Sequence, residues 1–167
     1  MEVIRLAWLF EKETLINSLN EAHLSLVCQV HTAGGYLRDG EYVYCGAYDV
    51  ETHKQDFQKQ LRECKELLSV VDAGGFINIH AGVDAWLEEE ALDFLSFCLD
   101  EIHSVVPDIT VTFETDRQRL FGSPFQARSL LCLPSLSESD LKLNADLSHW
   151  YCACERVFNA KDDRDKA

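Results

Sequence analysis

Residues 72–105, DAGGFINIHAGVDAWLEEEALDFLSFCLDEIHSV, decide the fold class of this 167-residue chain. The run GFINIH (75–80) is short, mostly apolar and preceded by glycine, which predicts a strand buried on both faces. From about Trp86 to Val105, apolar residues recur at three- and four-residue steps, which predicts an amphipathic helix that Asp84 can cap. A buried strand followed by such a helix is typical of a parallel β-α-β unit.

The same alternation continues on both sides of this stretch. The other expected strands are LSLVCQV (24–30), ITVTFE (109–114) and KLNADL (142–147). The other expected helices run from about Thr52 to Val71, over SPFQARSLLCLP (123–134), and from WYCACERVF (150–158) onward. Strands and helices in this rhythm predict a parallel α/β sheet, but periodicity alone does not separate a doubly wound sheet from a barrel.

The composition narrows the classes of partner. The formal net charge is −14 and the sequence pI is near 4.7. A surface this acidic repels phosphodiester backbones, so no nucleic acid partner is expected and small polar molecules are favoured. The apolar run in MEVIRLAWLFEKE (1–13) is far too short for a membrane span, and no membrane association is expected.

The cysteines indicate the redox setting. There are seven, an odd number, and no pair has the C-x-x-C spacing of a zinc ribbon or redox motif. Cys64 and Cys98 fall on the apolar stripes of predicted helices, where thiols behave as small hydrophobic groups. We therefore expect unpaired, reduced cysteines and a cytoplasmic location.

Residues able to bind a metal lie at or near the end of each predicted strand. They are His31, His80, Glu114, Asp146 and His149. Because parallel strands end at the same edge of a sheet, these side chains are expected to converge there. Imidazoles and carboxylates together suit zinc, manganese or a similar divalent ion. Each residue also has an ordinary structural explanation: a histidine ending a strand is usually a core residue, and Asp146 could simply cap the turn that contains His149.

Three segments carry a resemblance to a known family: NIHAGVDAW (78–86), VTFETDRQRLFGSP (111–124) and LNADLSHW (143–150). They resemble the sugar-phosphate isomerase/epimerase branch of the xylose-isomerase-like barrels, a superfamily that also contains apurinic endonucleases. The resemblance implies a partial (β/α) TIM-type barrel with parallel strands, holding about four to five of the eight βα units of a whole barrel. Residues 1–158 would form this domain, and residues 159–167 a solvated C-terminal tail.

The resemblance also implies roles for individual residues. Glu114 and Asp146 match the family's two metal-binding carboxylates, and His149 matches a histidine that binds substrate or a further metal. His80 and His31 match histidines at strand ends, the latter a ligand in the endonucleases. Glu114, His149 and Arg117 are the expected catalytic residues. The chain departs from the ETHR motif of close relatives, because Asp116 replaces the histidine.

The expected function is divalent-metal-dependent isomerisation or epimerisation of a small sugar, sugar phosphate or hydroxy-ketone, at an incomplete active site. In the family, a further metal histidine and glutamate come from later strands, so we expect the metal to be weakly bound or lost and turnover to be small. One alternative is a non-catalytic, truncated fragment or isoform that acts through association, for instance as a homo-oligomer covering exposed sheet edges. An apurinic endonuclease is a further alternative, which the acidic charge disfavours.

Overall fold

The computed structural model of the protein describes residues 12–32, 36–38, 41–43, 49–83, 85–115, 119–137, 139 and 141–151. The strands in these ranges are β1 (Leu26–His31), β2 (Tyr36–Arg38), β3 (Glu41–Val43), β4 (Gly75–His80), β5 (Thr110–Glu114) and β6 (Leu143–Asn144). The helices are α1 (Lys12–Glu21), α2 (Val50–Leu68), α3 (Glu88–Val105), α4 (Pro124–Leu131) and α5 (Pro134–Ser137), and residues 147–151 are also helical.

The main sheet is parallel and has the order β1-β4-β5-β6. Its strands are added in chain order with no reversal, whereas a doubly wound sheet reverses its strand order at a switch point. Helices α2 and α3, which connect successive strands, pack against each other. The described residues therefore have the strand succession expected of part of a β/α barrel.

The helix-facing side of the sheet forms the hydrophobic core. Along β1 buried and half-buried residues alternate, with Leu26, Cys28 and Val30 on the buried side. Ile77 and Ile79 of β4 are fully buried within the same core. The helices add further buried apolar side chains, chiefly Phe57, Leu61, Phe94 and Leu95. Burying each such side chain contributes about 1.5–3 kcal/mol, so this face holds the helices on the sheet.

Polar groups set the helix starts. Asp49 Oδ1 accepts the N–H of Thr52 at 2.7 Å, so α2 begins at Val50, two residues before the predicted start. Helix α3 begins at Glu88, two residues after the predicted start, where Glu90 Oε2 accepts the N–H of Leu87 at 2.8 Å. The expected cap of this helix, Asp84, lies outside the described residues.

Two sequence predictions are wrong in detail, and one strand pair was missed. The strand predicted over 142–147 is only Leu143–Asn144, because the Asp146 side chain accepts backbone N–H groups from the next turn and begins a helix. The helix predicted over 123–134 is two helices, since Pro134 has no N–H with which to continue the first. The antiparallel pair of β2 and β3 was not predicted at all.

The cysteine prediction is confirmed where the structure can test it. Cys28, Cys64, Cys98 and Cys132 form no disulfide, and the first three are buried. The remaining cysteines, Cys45, Cys152 and Cys154, lie outside the described residues, as does the tail expected over 159–167. Among the described helices, none has the length and hydrophobicity needed to span a membrane.

Candidate metal centre

The second face of the sheet carries polar side chains in two rows. Because paired residues of neighbouring parallel strands point the same way, the register aligns His31 with His80 and Glu114 with Asn144 at the carboxyl edge. His80 and Glu114 come next to each other, since the pairs of β4 and β5 run up to Ile79 and Phe113. A second row, two residues earlier on each strand, holds Gln29, Asn78 and Thr112.

Contacts link the members of the edge row. The imidazole rings of His31 and His80 stack, with centroids 4.1 Å apart and planes inclined by 13°. His80 Nε2 lies 3.5 Å from Glu114 Oε2. Both His80 and Glu114 are buried.

Glu114 is held by amide groups from the strands on either side. Oε2 accepts a hydrogen bond from Asn78 Nδ2, and a second from Asn144 Nδ2 at 3.3 Å. The Thr112 hydroxyl donates to Asn78 Oδ1 at 2.9 Å, and Asn144 Nδ2 lies 3.3 Å from that same oxygen. These donors fix the orientation of the Asn78 amide, because the opposite orientation would turn its oxygen toward the carboxylate.

Asp146 is fixed by the turn that follows β6. Its Oδ1 accepts the Ser148 hydroxyl at 2.6 Å and the N–H groups of Ser148 and His149 at 2.8 Å and 3.3 Å. The hydrogen bond from the Ser148 hydroxyl is the largest cause that lowers the pKa of Asp146, and the two N–H groups and the nearby His149 add to it. Partial desolvation opposes this shift. The result favours the ionised carboxylate.

Thr115, fully buried just after β5, ties Asp146 and His149 to the sheet. Its hydroxyl accepts the N–H of Asp146 at 2.7 Å and donates to the carbonyl of Asp146 at 3.2 Å. Its own carbonyl lies 3.0 Å from His149 Nδ1. The helical turn that carries two candidate ligands is therefore anchored beside the end of β5, where Glu114 provides the third.

The hydrogen bonding of His149 identifies its tautomer. Nδ1 faces two acceptors, the Thr115 carbonyl at 3.0 Å and Asp146 Oδ2 at 3.5 Å. A carbonyl cannot donate, so Nδ1 carries a hydrogen, and in the neutral form of the ring the lone pair is on Nε2. Histidines that bind metals commonly donate their other ring N–H to a carbonyl or carboxylate in this way.

Glu114, Asp146 and His149 form a cluster whose candidate ligand atoms all lie within 4.8 Å of one another. Two carboxylates and one imidazole are a donor set that zinc, manganese and similar divalent ions bind, so these residues fit such an ion. Of the other predicted ligands, His80 touches the cluster through Glu114, and His31 stacks on the far side of His80. Arg117, predicted to be catalytic, and Asp116 lie outside the described residues.

A second cluster of buried polar residues lies around the segments that follow β1 and β4. Thr32 Oγ1 is 2.9 Å from His53 Nδ1 and accepts the N–H of Gly82 at 3.1 Å. One nitrogen of Arg119 donates to the carbonyls of Thr32 and Gly82, at 3.0 Å and 2.9 Å. Arg119 thereby joins the segments that follow β1 and β4, and it stabilises the loops around the edge.

Sequence reasoning missed the residues that orient the ligands. Asn78 did carry a signal, because an amide in the middle of the apolar run FINIH must find hydrogen-bond partners when buried. Thr112, Thr115 and Asn144 carried none, since their partners come from other strands or from the turn after β6. The cluster of Thr32, His53 and Arg119 joins residues up to 87 positions apart, which no local pattern reveals.

Comparisons with known proteins bear on the fold. No family model and no curated protein matches the chain. Among solved structures, the chain is similar to the crystal structure of the probable 3-DHS dehydratase AsbF, involved in petrobactin synthesis, from Bacillus anthracis. The TM-score is 0.58 and the sequence identity 16%, and the match covers 96% of this chain and 56% of the other.

At this identity the likeness shows the fold. It confirms the predicted fold class, part of a (β/α) barrel with parallel strands, in agreement with the four-stranded parallel sheet. The chain spans little more than half the length of the matched structure.

Proposed function

We propose that this chain belongs to a divalent-metal-dependent enzyme that isomerises or epimerises a small sugar or hydroxy-ketone. The observation that carries the proposal is the cluster of Glu114, Asp146 and His149 beside the carboxyl edge of a barrel-type sheet. Active sites of β/α barrels lie at this edge. The hydrogen bond from His149 Nδ1 to the Thr115 carbonyl adds support, because histidines that bind metals commonly donate their other ring N–H in this way.

The proposal gives each residue a role. Glu114, Asp146 and His149 would hold the ion, which when bound supplies a Lewis acid that polarises a substrate carbonyl or hydroxyl oxygen. Glu114 and His149 would also border the reacting atoms. His80, adjacent to Glu114, would hydrogen-bond a substrate hydroxyl. Arg117, which follows the strand carrying Glu114, would orient the substrate.

Dehydration of a hydroxy-ketone is a second candidate, favoured by the likeness of the fold to that of a probable dehydratase. Isomerisation and such dehydration can both begin with removal of a proton next to a carbonyl, and a positioned base accelerates that step. The two reactions differ in the fate of the substrate oxygen, because only dehydration releases it as water. Product analysis by NMR therefore distinguishes them.

An ion held by only three ligands from the described residues would exchange readily with ions in solution. We therefore propose weak binding and slow turnover by the chain alone, with the rest of the substrate pocket supplied by further polypeptide or by a second copy. A purely associating, non-catalytic fragment is the competing function, and it requires no ion at the cluster.

Calorimetry with Mn²⁺ and Zn²⁺ tests the proposal. We expect the chain to bind one ion at the cluster and Glu114→Gln, which keeps the shape but removes the charge, to weaken that binding at least about tenfold. Glu89→Gln is the matched control, because Glu89 is exposed in the first turn of α3. Equal affinities of the two variants, or the absence of binding, would contradict the metal centre.

Solvent deuterium exchange tests the chemistry. In D₂O with the bound ion, an enzyme of either class that begins by removing the proton next to the carbonyl of a ketose or hydroxy-ketone exchanges that hydrogen, and NMR detects this even when turnover is slow. The exchange should be lost in Glu114→Gln and kept in Glu89→Gln. Ion binding without any exchange across a panel of such compounds would favour the non-catalytic alternative.

A further inference from the structure

We infer that the cluster offers a cation one donor atom from each of its three residues, because the second oxygen of each carboxylate is already saturated by protein donors. Such a site suits an ion that accepts few ligands, as Zn²⁺ and Co²⁺ do, and leaves open positions for a substrate. This inference rests on the proposed function, and it assigns the denticity of the ligands and the residues that impose it.

Asp146 contributes one oxygen because its Oδ1 is surrounded by hydrogen-bond donors. The hydroxyl and N–H of Ser148 and the N–H of His149 all point at this atom, at 2.6–3.3 Å. A carboxylate oxygen has about two lone pairs, so three donors leave no capacity for an ion there. Oδ2 is the oxygen that remains for coordination.

Glu114 also has one oxygen that is occupied by hydrogen bonds, but here the donors come from neighbouring strands and not from a turn. Asn78 Nδ2 and Asn144 Nδ2 both donate to Oε2, and His80 Nε2 lies 3.5 Å from this same oxygen. Turning the carboxylate to chelate an ion with both oxygens would break the hydrogen bonds from Asn78, which is buried, and from Asn144, which is exposed. Leaving the buried Asn78 amide unsatisfied is unfavourable, so Glu114 binds through Oε1 alone.

Asn78 is the positioning residue of this arrangement. The Thr112 hydroxyl donates to its Oδ1, so its N–H₂ group must face Glu114. Asn78 is almost fully buried in the middle of β4, a place where an amide is retained only with its partners satisfied. The two asparagines and Ser148 thus act on the ion through the carboxylates and do not touch it.

One donor atom per residue has a consequence for ion choice. Catalytic zinc sites typically have three protein ligands and an open position for water or substrate. Calcium takes six to eight oxygens and often uses bidentate carboxylates, and magnesium requires a near-octahedral set of oxygens. Two single oxygens and one imidazole nitrogen match the first pattern and not the others.

Visible absorption of the Co²⁺-loaded chain measures the coordination number directly. Co²⁺ with four or five ligands absorbs strongly, and six-coordinate Co²⁺ absorbs weakly. We expect a strong spectrum for the unmodified chain and a weaker one for Asn78→Leu and for Asn144→Ala, because a freed Oε2 lets Glu114 chelate the ion. The ratio of the Ca²⁺ to the Co²⁺ dissociation constant should fall about tenfold or more in Asn78→Leu.

Two controls separate this effect from misfolding and from stray ions. Gln29→Leu makes a comparable change on β1, two strands away from Glu114, and should keep the strong spectrum. Co²⁺ that binds to Glu114→Gln as tightly as to the unmodified chain is bound elsewhere, for instance by cysteines, and its absorption is subtracted. If Asn78→Leu does not fold, Asn144→Ala decides alone, since Asn144 is exposed.

The possible results also distinguish the inference about single-oxygen coordination from the proposed metal centre on which it rests. A weak spectrum for the unmodified chain, typical of six-coordinate Co²⁺, overturns the inference. Spectra that stay unchanged in both asparagine variants overturn it as well. In either case the metal centre itself is not contradicted. Absence of any Co²⁺ bound through Glu114 overturns the metal centre itself and the inference with it.

Discussion

Two adjacent glycines before and at the start of β4 should respond to alanine for different physical reasons. Gly75 pairs with Leu26 of β1, and a Cβ on it would lie 1.9 Å from the Leu26 carbonyl oxygen and 2.7 Å from Leu68 Cδ2. Gly74 has no atom within 4 Å of such a Cβ, but its φ of 65° lies in the left-handed region. Alanine therefore meets a steric clash at Gly75 and only backbone strain at Gly74.

The geometry sets the expected magnitudes. To regain ordinary contact at Gly75, the backbone of β1 must move by about 1.5 Å, which would disturb the central strand pairing. Overpacking of this kind costs about 3 kcal/mol, the upper end of its usual range. The left-handed backbone at Gly74 costs about 1 kcal/mol with alanine. For a chain of this size, these values correspond to falls in Tm of about 6–12 °C and about 2–4 °C.

Thermal unfolding followed by circular dichroism is the assay, with asparagine variants as a second pair. Gly74→Asn should be milder than Gly74→Ala, because asparagine tolerates the left-handed region. Gly75→Asn should be at least as damaging as Gly75→Ala, because the space is missing for any side chain. Equal losses at the two positions, or a larger loss for Gly74→Ala, would refute the close approach of β1 and β4 at Gly75.

Three further expectations follow from the described contacts. Hydrogen bonds from the Thr52 side chain and N–H lower the pKa of Asp49 in the folded chain. The ionised carboxylate therefore stabilises the fold fully above about pH 4, the pKa of an unfolded aspartate. This stabilisation is lost as the pH falls through the lower pKa of the folded state. The Tm deficit of Asp49→Ala should therefore be largest near neutral pH and fade in acid, with Asp49→Asn independent of pH, and a deficit that persists at pH 2 would contradict this. Phe94→Ala removes a fully buried ring that contacts His53, Phe57 and Trp86. The free energy of unfolding, measured by chemical denaturation, should fall by about 3–5 kcal/mol. A fall below about 1 kcal/mol would contradict the position of Phe94 in the core. Thiol titration of the denatured, unreduced chain should find seven free groups, and fewer would reveal a disulfide involving residues outside the described ranges.

How much of the candidate site the sequence predicted depends on how far apart the interacting residues lie. Placing His31, His80 and Glu114 at strand ends required only local patterns, because parallel strands bring their carboxyl ends to one edge. Asp146 had two interpretations in the sequence, a cap or a ligand. The structure shows the cap through Oδ1 and leaves Oδ2 near His149, so the cap does not exclude the ligand role that we propose for this carboxylate.

The sequence by itself determined the order and type of the main elements, because alternating apolar runs and helical stripes record which side of each segment is buried. GFINIH was predicted with the bounds that β4 has, and the stripes of α2 and α3 were found within two or three residues of their ends. Only the tertiary structure decided that the strands succeed one another as in a barrel. It also decided which oxygen of Glu114 and of Asp146 already accepts hydrogen bonds from the protein. The physical reason is that burial repeats along the chain, whereas hydrogen bonds such as those from Asn78 and Asn144 to Glu114 depend on strand register between distant segments.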